Sequence, residues 1–534
     1  MAKSEEVIFT EYVNLMAKSI NPTIDPHNDV MEFACGRFNL SNFDQKSGEY
    51  PPNRFGDPFD RLIQNESLNY PSLVKARNFY KSYESNVGNL LRNEGLREFC
   101  GGFPALSGTW SDANFDWIKT AAILSAMGMH TIVEYTIKYE DGKRNVELSV
   151  EIPDEDVVTA AEEALTKMGI PKNTISEAVS AVNMIRKKSQ SLALEGDEKE
   201  LRQKFFNKFF EIATGQALTE DDILEMDTYD MSYVKGLLTI FPDVEPKDVA
   251  NYLMCIAICK HGEDKIFTTA HELSMKYFAP ALIAAGYSEY WNASEEMKRE
   301  EIQRRFMETF EKVKSNFQNE ATFMAQDKTV AEYIAQNFPQ AQVDREYDSL
   351  KIDSHNFFQN IVNIIAHGPS NCLKKYHSNK NEDQDMQYQI ISFLQDLVNT
   401  HDKPMLFHFS DGLVDMWRDM YYSFGLDADI AEYKKLADAM SGSKMTETGG
   451  EPKLVKTCIS TVKALKMGFE SYKAWLAENP DVAAKQELVL QKLQLNNYQA
   501  FFIAFIQRCY GLDHINPNIV SLSISHSEDF AQHF

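Results

Sequence analysis

The sequence contains no apolar run near the roughly 20 residues that a helix needs to span a bilayer. It has only 24 glycines and 18 prolines in 534 residues and no low-complexity tract, which excludes collagen-like and linker architectures. Basic residues are the scarcer charge, with 54 against 79 acidic residues and a formal net charge of -25. Such a charge repels phosphate backbones and anionic membranes. We therefore expect no membrane span and no nucleic-acid partner.

Familiar catalytic motifs are missing as well. The chain has neither a G-x-S-x-G nucleophile motif nor a G-x-x-x-x-G-K phosphate loop. His271-Glu272 begins like the zinc motif H-E-x-x-H, but Met275 stands in place of the second His, and a thioether is a poor zinc ligand. We interpret that segment as structural. His401 and His408 do not lie on one rigid element, so we interpret both as surface residues.

The seven cysteines form an odd and scattered set. Cys255 and Cys259 stand four residues apart in an apolar stretch, which indicates one buried helical face rather than a metal pair. Three Asn-x-Ser tripeptides make Asn39, Asn65 and Asn292 candidate glycosylation sites. Such tripeptides are common by chance, so they permit secretion without demonstrating it.

Apolar periodicity is the main positive signal in the chain. With 43% hydrophobic residues, the chain can bury a large core and form more than one lobe. The amino terminus predicts an amphipathic helix, EEVIFTEYVNLMAKSI, then a break at Asn21-Pro22 and a short helix over 28–35. Further helices are predicted over 154–169, 174–188, 197–214 and 299–317. We expect caps or breaks at Pro171, Gly215, Pro242, Pro246 and Pro280.

One segment alternates with the period of a strand. Residues 131–152 read TIVEYTIKYEDGKRNVELSVEI, with Asp141-Gly142 as a tight turn, which predicts a two-stranded β-hairpin. Because the other periodic segments are helical, we expect a mainly α fold.

Residues 387–417 read QYQIISFLQDLVNTHDKPMLFHFSDGLVDMW. The first half has the three-and-four spacing of a buried apolar helix. Pro404 predicts a break, the Ser-Asp-Gly sequence at 410–412 predicts a turn, and Leu413 is expected to open a second helix.

Several phrases resemble the neprilysin and endothelin-converting-enzyme family of zinc metallopeptidases. Residues 20–38, INPTIDPHNDVMEFACGRF, resemble the family signature D-P-C-x-D-F-Y-x-F-A-C-G-x-W. Residues 73–86 and the helix at 110–129 are similar to later family segments. The carboxyl-terminal phrases FFIAFIQRCYG and HINPNIVSLSISHS are similar to the end of the family sequence. His27 and Tyr83 stand where two family cysteines belong.

The resemblance also locates the family's zinc site, and the ligands are absent there. Counting back from FSDGLVDMW, which resembles the phrase after H-E-x-x-H, places the two His ligands on Leu394 and Val398 and the catalytic Glu on Gln395. The phrase MGFESYKAW places the third ligand, a Glu, on Thr457 and its supporting Asp on Thr461. Leu, Val and Thr do not ligate zinc. The resemblance therefore implies no metal, no cofactor and no peptidase activity.

Three other family residues have counterparts. His526 matches a His that stabilises the oxyanion in the family, and we interpret it as vestigial, since that role alone cannot generate a nucleophile. Cys35 and Cys509 match a family disulfide, which implies an oxidising compartment if it is formed.

The amino terminus lacks a signal peptide, so secretion requires numbering that begins after a removed signal. The alternative is a cytoplasmic protein.

The resemblance implies a two-lobed neprilysin-like fold, mainly α, with a minor β-hairpin and a lost zinc site. Residues 1–45 and 345–534 would form a degenerate catalytic-type lobe. Residues 46–344 would form a helical cap lobe that contains the hairpin near 130–153. We expect a non-catalytic pseudopeptidase, secreted, that binds a peptide or protein partner. Two alternatives stay open: a structural or storage protein that assembles into homo-oligomers, and an active metallopeptidase with a displaced metal site.

Overall fold

The structure of the chain, a computed structural model, describes residues 4–26, 28–37, 58–106, 110–140, 143–150, 152–190, 198–260, 266–291, 293–313, 327–378, 389–391, 393–394, 397, 403–424, 452–510 and 517–534. Most of these residues are helical, and a small sheet accompanies them. The prediction of a mainly α fold is confirmed. No helix in the described part of the chain is long and apolar enough to cross a membrane.

The α-helices with defined bounds are numbered here in chain order. They are α1 Glu5–Ser19, α2 Val30–Cys35, α3 Pro58–Gln64, α4 Pro71–Asn86, α5 Glu94–Cys100, α6 Trp117–Ala126, α7 Glu155–Lys167, α8 Lys172–Gln190, α9 Glu198–Leu201, α10 Asn207–Thr214, α11 Thr228–Ile240, α12 Pro246–Lys260, α13 Ile266–Tyr290, α14 Ala293–Val313, α15 Asp327–Asn337, α16 Gln340–Tyr347, α17 Phe357–His367, α18 Asn371–Tyr376, α19 Met405–Phe407, α20 Val414–Phe424, α21 Pro452–Glu478, α22 Pro480–Leu490, α23 Asn497–Tyr510, α24 Pro517–Ser525 and α25 Glu528–His533.

Side-chain caps fix several helix starts. Ser4 accepts a hydrogen bond from the Val7 backbone at the start of α1, and Asp116 and Asp154 cap α6 and α7 in the same way. A short side chain that accepts a bond from the first turn satisfies a backbone N–H that has no helical partner. At the other end of α10, Gly215 adopts a φ of 77°, which glycine reaches without strain. The predicted end of that helix is confirmed.

The sheet contains the predicted hairpin. Strands β1, Glu134–Glu140, and β2, Lys143–Ser149, pair antiparallel, with Ile137 opposite Val146. The predicted turn at 141–142 lies outside the described residues. A third strand, β3 at Ile223–Glu225, pairs parallel to β2 and was not predicted. The strand order is β1-β2-β3, so β1 is an edge strand.

The chain divides into two compact units. Unit 1 comprises Met1–Arg61, Gly286–Glu332 and Ile391–Phe534, and unit 2 comprises Leu62–Ala285 and Tyr333–Ile390. The predicted lobes, 1–45 plus 345–534 and 46–344, have other bounds. Their assignment as catalytic-type and cap lobes stays a prediction.

The core of unit 1 is rich in aromatic rings. Trp417 is fully buried, with its ring centroid 4.6 Å from that of Phe306. Phe409 packs against Tyr472 at 5.5 Å. Burial of such large side chains supplies much of the stability of a domain core.

The segment around 410–412 differs from the prediction. Instead of a turn, a π-helical segment, His408–Leu413, joins α19 directly to α20. Asp411 is buried and forms an ion pair with Arg508, so this segment faces the core rather than solvent. The interpretation of His408 as a surface residue is also wrong. Only 5% of it is exposed, and burial, followed by the nearby Lys298 charge, lowers its pKa well below the usual value. His401 lies outside the described residues.

The prediction of a break at Pro280 is wrong as well. Pro280 lies inside α13, which continues to Tyr290. Proline removes one helical hydrogen bond and leaves the carbonyl four residues earlier without its partner. That carbonyl belongs to Lys276, and its replacement partner is part of the candidate site.

Candidate functional site

Of the three positions predicted for the zinc ligands, the structure describes Leu394 and Thr457, both in unit 1. Leu394 is helical and fully buried. Thr461 is buried on α21, and its hydroxyl donates to the Thr457 carbonyl at 2.8 Å. Gln395 and Val398 lie outside the described residues. These side chains offer no imidazole or carboxylate, so they do not fit a zinc ion.

In the described ranges, no group of three or more His, Cys, Asp or Glu side chains is arranged to hold a metal ion. The buried Cys255 and half-buried Cys259 lie on α12, and the Cys259 thiol bonds the Val157 carbonyl at 2.9 Å. Cys255 is part of the packed interior of unit 2, in line with the predicted buried face.

The other residues that the resemblance singled out lie in varied settings. His526 is half-buried, with Nδ1 3.2 Å from the Ser525 hydroxyl. Asn65 is half-buried, and its Oδ1 accepts from the Ser67 hydroxyl at 2.6 Å. Tyr83 is buried in unit 2. Asn39, Asn292 and His27 lie outside the described residues. The roles predicted for these residues stay predictions.

Cys35 and Cys509 do come together. Both are buried in the core of unit 1, and both are free thiols in this structure. Burial raises the pKa of Cys509 to about 12 and raises that of Cys35, where the neighbouring Cys509 adds to the effect. Both thiols are therefore protonated at neutral pH, when they are reduced. Their oxidation to the predicted disulfide stays a prediction.

Unit 2 contains a cavity that sequence reasoning did not find. Its volume is about 340 Å³, at the lower end of the roughly 300–1,000 Å³ typical of ligand pockets. Its walls come from strand β1, the end of α10, helix α13, and the end of α17 with the segment that leads through α18. The lining is mixed, with aromatic rings, three histidines and charged groups beside aliphatic side chains.

Pro280 and His377 shape one wall of the cavity. The Lys276 carbonyl, which Pro280 deprives of a helical partner, accepts a hydrogen bond from the His377 ring. Burial lowers the pKa of His377 to about 4, so the ring is neutral at pH 7 and its single N–H is the donor. The His377 carbonyl in turn accepts from the Tyr139 N–H of β1 at 2.9 Å. One histidine therefore ties α13 to the sheet.

Lys276 lies on this wall between two aromatic rings. Its Nζ is 4.4 Å from the centroid of the Tyr135 ring and 5.6 Å from that of Tyr277, and it donates to the Tyr135 hydroxyl at 3.2 Å. Both rings are held in place. The Tyr277 hydroxyl donates to the Ala126 carbonyl at 2.7 Å, and the Tyr135 ring packs on Phe210 at 5.2 Å. Fixed ring faces stabilise a cation above them.

No carboxylate in the described part of the chain lies within 4.0 Å of the Lys276 ammonium. Arg144, a buried cation that also lines the cavity, differs in this respect. Arg144 forms an ion pair with Asp222 and also donates to the Gln216 carbonyl at 3.3 Å. Burial alone would raise the pKa of Asp222. The hydrogen bonds from Arg144 and from the Thr219 backbone outweigh this effect and hold that pKa below its usual value. Arg144 is thus engaged within the fold, and Lys276 is the cation among the described lining residues that remains for a ligand.

The sequence analysis singled out residues next to this site but did not predict the site. Glu272, from the motif interpreted as structural, lines the cavity, and Lys276 follows directly after Met275. A proline inside an otherwise apolar helical run was the available signal. It was interpreted as a break because the partner of the released carbonyl, His377, lies about a hundred residues away in the chain.

Comparisons with known proteins give a distant likeness among solved structures. No protein-family model and no curated protein matches the chain. Among solved structures, the Haemonchus galactose-containing glycoprotein complex is similar, with a TM-score of 0.46 and 13% sequence identity, over 100% of this chain and 96% of that one. At this distance the likeness assigns neither a family nor a function.

Proposed function

We propose that this protein is a non-catalytic, neprilysin-like binding protein that holds a short peptide in the cavity of unit 2. The proposal includes a two-lobed neprilysin-like fold in which the zinc site has been lost. Its secretion, suggested by the same resemblance, is part of the proposal.

Support for the loss of catalysis comes from side-chain chemistry. The resemblance places the metal ligands on Leu394, Val398 and Thr457, none of which ligates zinc. Without the ion, water is not activated at neutral pH, because lowering the pKa of bound water depends on the metal charge. Gln395, in the position of the general base, cannot accept a proton from water.

The observation that carries the binding proposal is the cavity with Lys276 on its wall. A half-buried ammonium that has no carboxylate partner within the described ranges is costly to keep unless solvent or a ligand compensates it. Pocket size, aromatic walls and one converging charge are the features of a ligand site. They suit a small anionic ligand or the acidic end of a peptide.

Native mass spectrometry with a library of free tetrapeptides tests the proposal. We expect intact tetrapeptides to bind at one per chain, with or without added zinc. The Thr136→Trp variant should lose them, because position 136 lines the cavity from an exposed strand position where a bulky ring fills space without disturbing the core. Thr159→Trp is the matched control, since it alters an exposed threonine of α7 that does not line the cavity.

Two results would refute the proposal. Cleaved tetrapeptides whose formation a chelator stops would favour the alternative of an active metallopeptidase. Failure of every tetrapeptide to bind would remove the binding function and leave the self-assembly alternative.

A further inference from the structure

We infer that the bound peptide adds as an extended strand to the outer edge of β1 and places a carboxylate on Lys276. This inference rests on the proposed function and specifies the binding mode and the class of ligand. It follows from the backbone of β1, the position of the cavity along that strand, and the charges around it.

The direction of the β1 backbone is fixed by one hydrogen bond. Tyr139 donates its N–H to the His377 carbonyl, away from β2. In a strand, the N–H and C=O groups of alternate residues point to the same side. The regular pairing of β1 with β2 shows no bulge. The N–H and C=O groups of Tyr135 and Ile137 therefore also point outward, away from β2.

The described residues supply no partner for these outward groups. In the part of the chain that the structure describes, neither Tyr135 nor Ile137 has an outer backbone hydrogen bond. Tyr135 is buried, with 7% of its surface exposed. Buried backbone groups in folded proteins are almost always paired with protein, water or a ligand. The two residues thus offer two donors and two acceptors to whatever fills the cavity.

The cavity follows the edge of the strand rather than one of its faces. Side chains of successive strand residues point to opposite faces of a sheet. The lining nevertheless includes the consecutive residues Glu134, Tyr135, Thr136 and Ile137. A cavity bordered by both faces at once runs beside the backbone, where an added strand would lie. An unpaired strand edge is a template for such addition.

The length of this edge sets the size of the ligand. Tyr135 and Ile137 are about 7 Å apart along the strand. Beyond them, the Tyr139 N–H is already occupied by His377. The edge therefore pairs with a segment of about three or four residues. A helical ligand would not use it, because a helix satisfies its own backbone groups.

Charge complementarity sets the chemistry of the ligand. Lys276 lies against the Tyr135 ring, next to this edge, and has no carboxylate partner among the residues that the structure describes. Glu134 and Glu272 line the same cavity and are exposed. A ligand with one carboxylate near Lys276 is attracted, whereas additional acidic groups would meet these two glutamates. The ligand class is an extended peptide with a single acidic end.

An N-methyl scan tests the strand geometry. The probe is acetyl-Val-Thr-Val-Thr with a free carboxylate, together with its four singly N-methylated forms. Methylation at alternate positions should weaken binding about tenfold by removing an N–H that pairs with β1, and the intervening positions should change little. Equal effects at all positions would overturn the strand mode. Failure of this probe while library tetrapeptides bind would overturn it too, and would leave the proposed function intact.

A charge cycle tests the carboxylate contact. In the wild type the acid probe should bind about tenfold more tightly than its carboxamide. Lys276→Met should abolish that difference. Lys138→Met, which removes a lysine of β1 that pairs with Glu147 across the hairpin, should retain it. An acid preference that survives in Lys276→Met would contradict the assignment.

Discussion

The helical segment 403–424 of unit 1 and the cavity of unit 2 differ in whether their charged side chains have ion-pair partners among the described residues. In unit 1, the half-buried Arg508 forms ion pairs with Asp411 and Asp415, and Asp415 also pairs with Arg418 at 2.8 Å. In the described part of unit 2, Lys276 has no carboxylate partner. The difference teaches that residue type alone does not locate a site. A charged side chain in an ion pair with a neighbouring residue stabilises the fold. A charged side chain without such an ion pair indicates a binding site for a ligand.

The largest effect is expected from breaking the ionic cluster of unit 1. Arg508→Met leaves Asp411 and Asp415 without their main counter-charge inside the protein. The expected loss in the free energy of unfolding is about 3–5 kcal/mol, measured by urea denaturation. Lys485→Met is the control. Lys485 pairs with Glu6 at 3.6 Å on the surface, and such pairs contribute about 0–1 kcal/mol. Equal losses in the two variants would mean that the cluster is not stabilising.

A second variant tests whether Leu394, at a position predicted for a zinc ligand, is part of the packed interior. Leu394→Ala removes a fully buried side chain and should lower the free energy of unfolding by about 2–5 kcal/mol. Leu488→Ala truncates a leucine that is 65% exposed and should change it by less than about 0.5 kcal/mol. Denaturation that finds Leu394→Ala as stable as the wild type would argue against a packed interior at this position.

The smallest effect is a pH dependence from the cavity wall. Burial places the pKa of His377 at about 4, below its usual 6.5, so the unfolded chain binds more protons between these values. The stability that neutral His377 supports is present above pH 6.5 and is lost as the pH falls towards 4. In His377→Gln, the free energy of unfolding should fall less steeply over this range.

The pH profile of His377→Gln must be compared with that of the wild type, because a second buried histidine, His408, contributes to both profiles. Burial also lowers the pKa of His408 in unit 1, so it too contributes stability that is lost on acidification. That contribution is the same in the wild type and in His377→Gln. Identical pH profiles for the two proteins would show that His377 is not held neutral by burial.

Sequence patterns predicted those elements that depend on residues near one another in the chain. The amphipathic pattern of EEVIFTEYVNLMAKSI predicted α1, because apolar side chains three and four residues apart share one helix face. The alternation of 131–152 predicted the hairpin because a half-buried strand has a period of two. These features depend on residues that are near one another in the chain.

What the sequence missed depends on distant partners. Strand β3 is three residues long and is defined by its pairing with β2, about eighty residues earlier. Pro280 stays in a helix because His377 satisfies the Lys276 carbonyl. The turn expected near Asp411 is helical because Arg508 meets it in the core. None of these contacts leaves a periodic trace in the sequence. The contact between Lys276 and His377 is the one that shapes the cavity wall.

Hydrogen–deuterium exchange with the acetyl-Val-Thr-Val-Thr probe tests most directly whether the ligand site is the cavity of unit 2. The unpaired Tyr135 and Ile137 amides lie on the outer edge of β1. On addition of the probe, mass spectrometry of peptic fragments should show slower exchange in the fragment covering 134–140. It should show no change in the fragments that contain Leu394 or Thr457. Protection at Leu394 or Thr457 without protection of β1 would contradict the account.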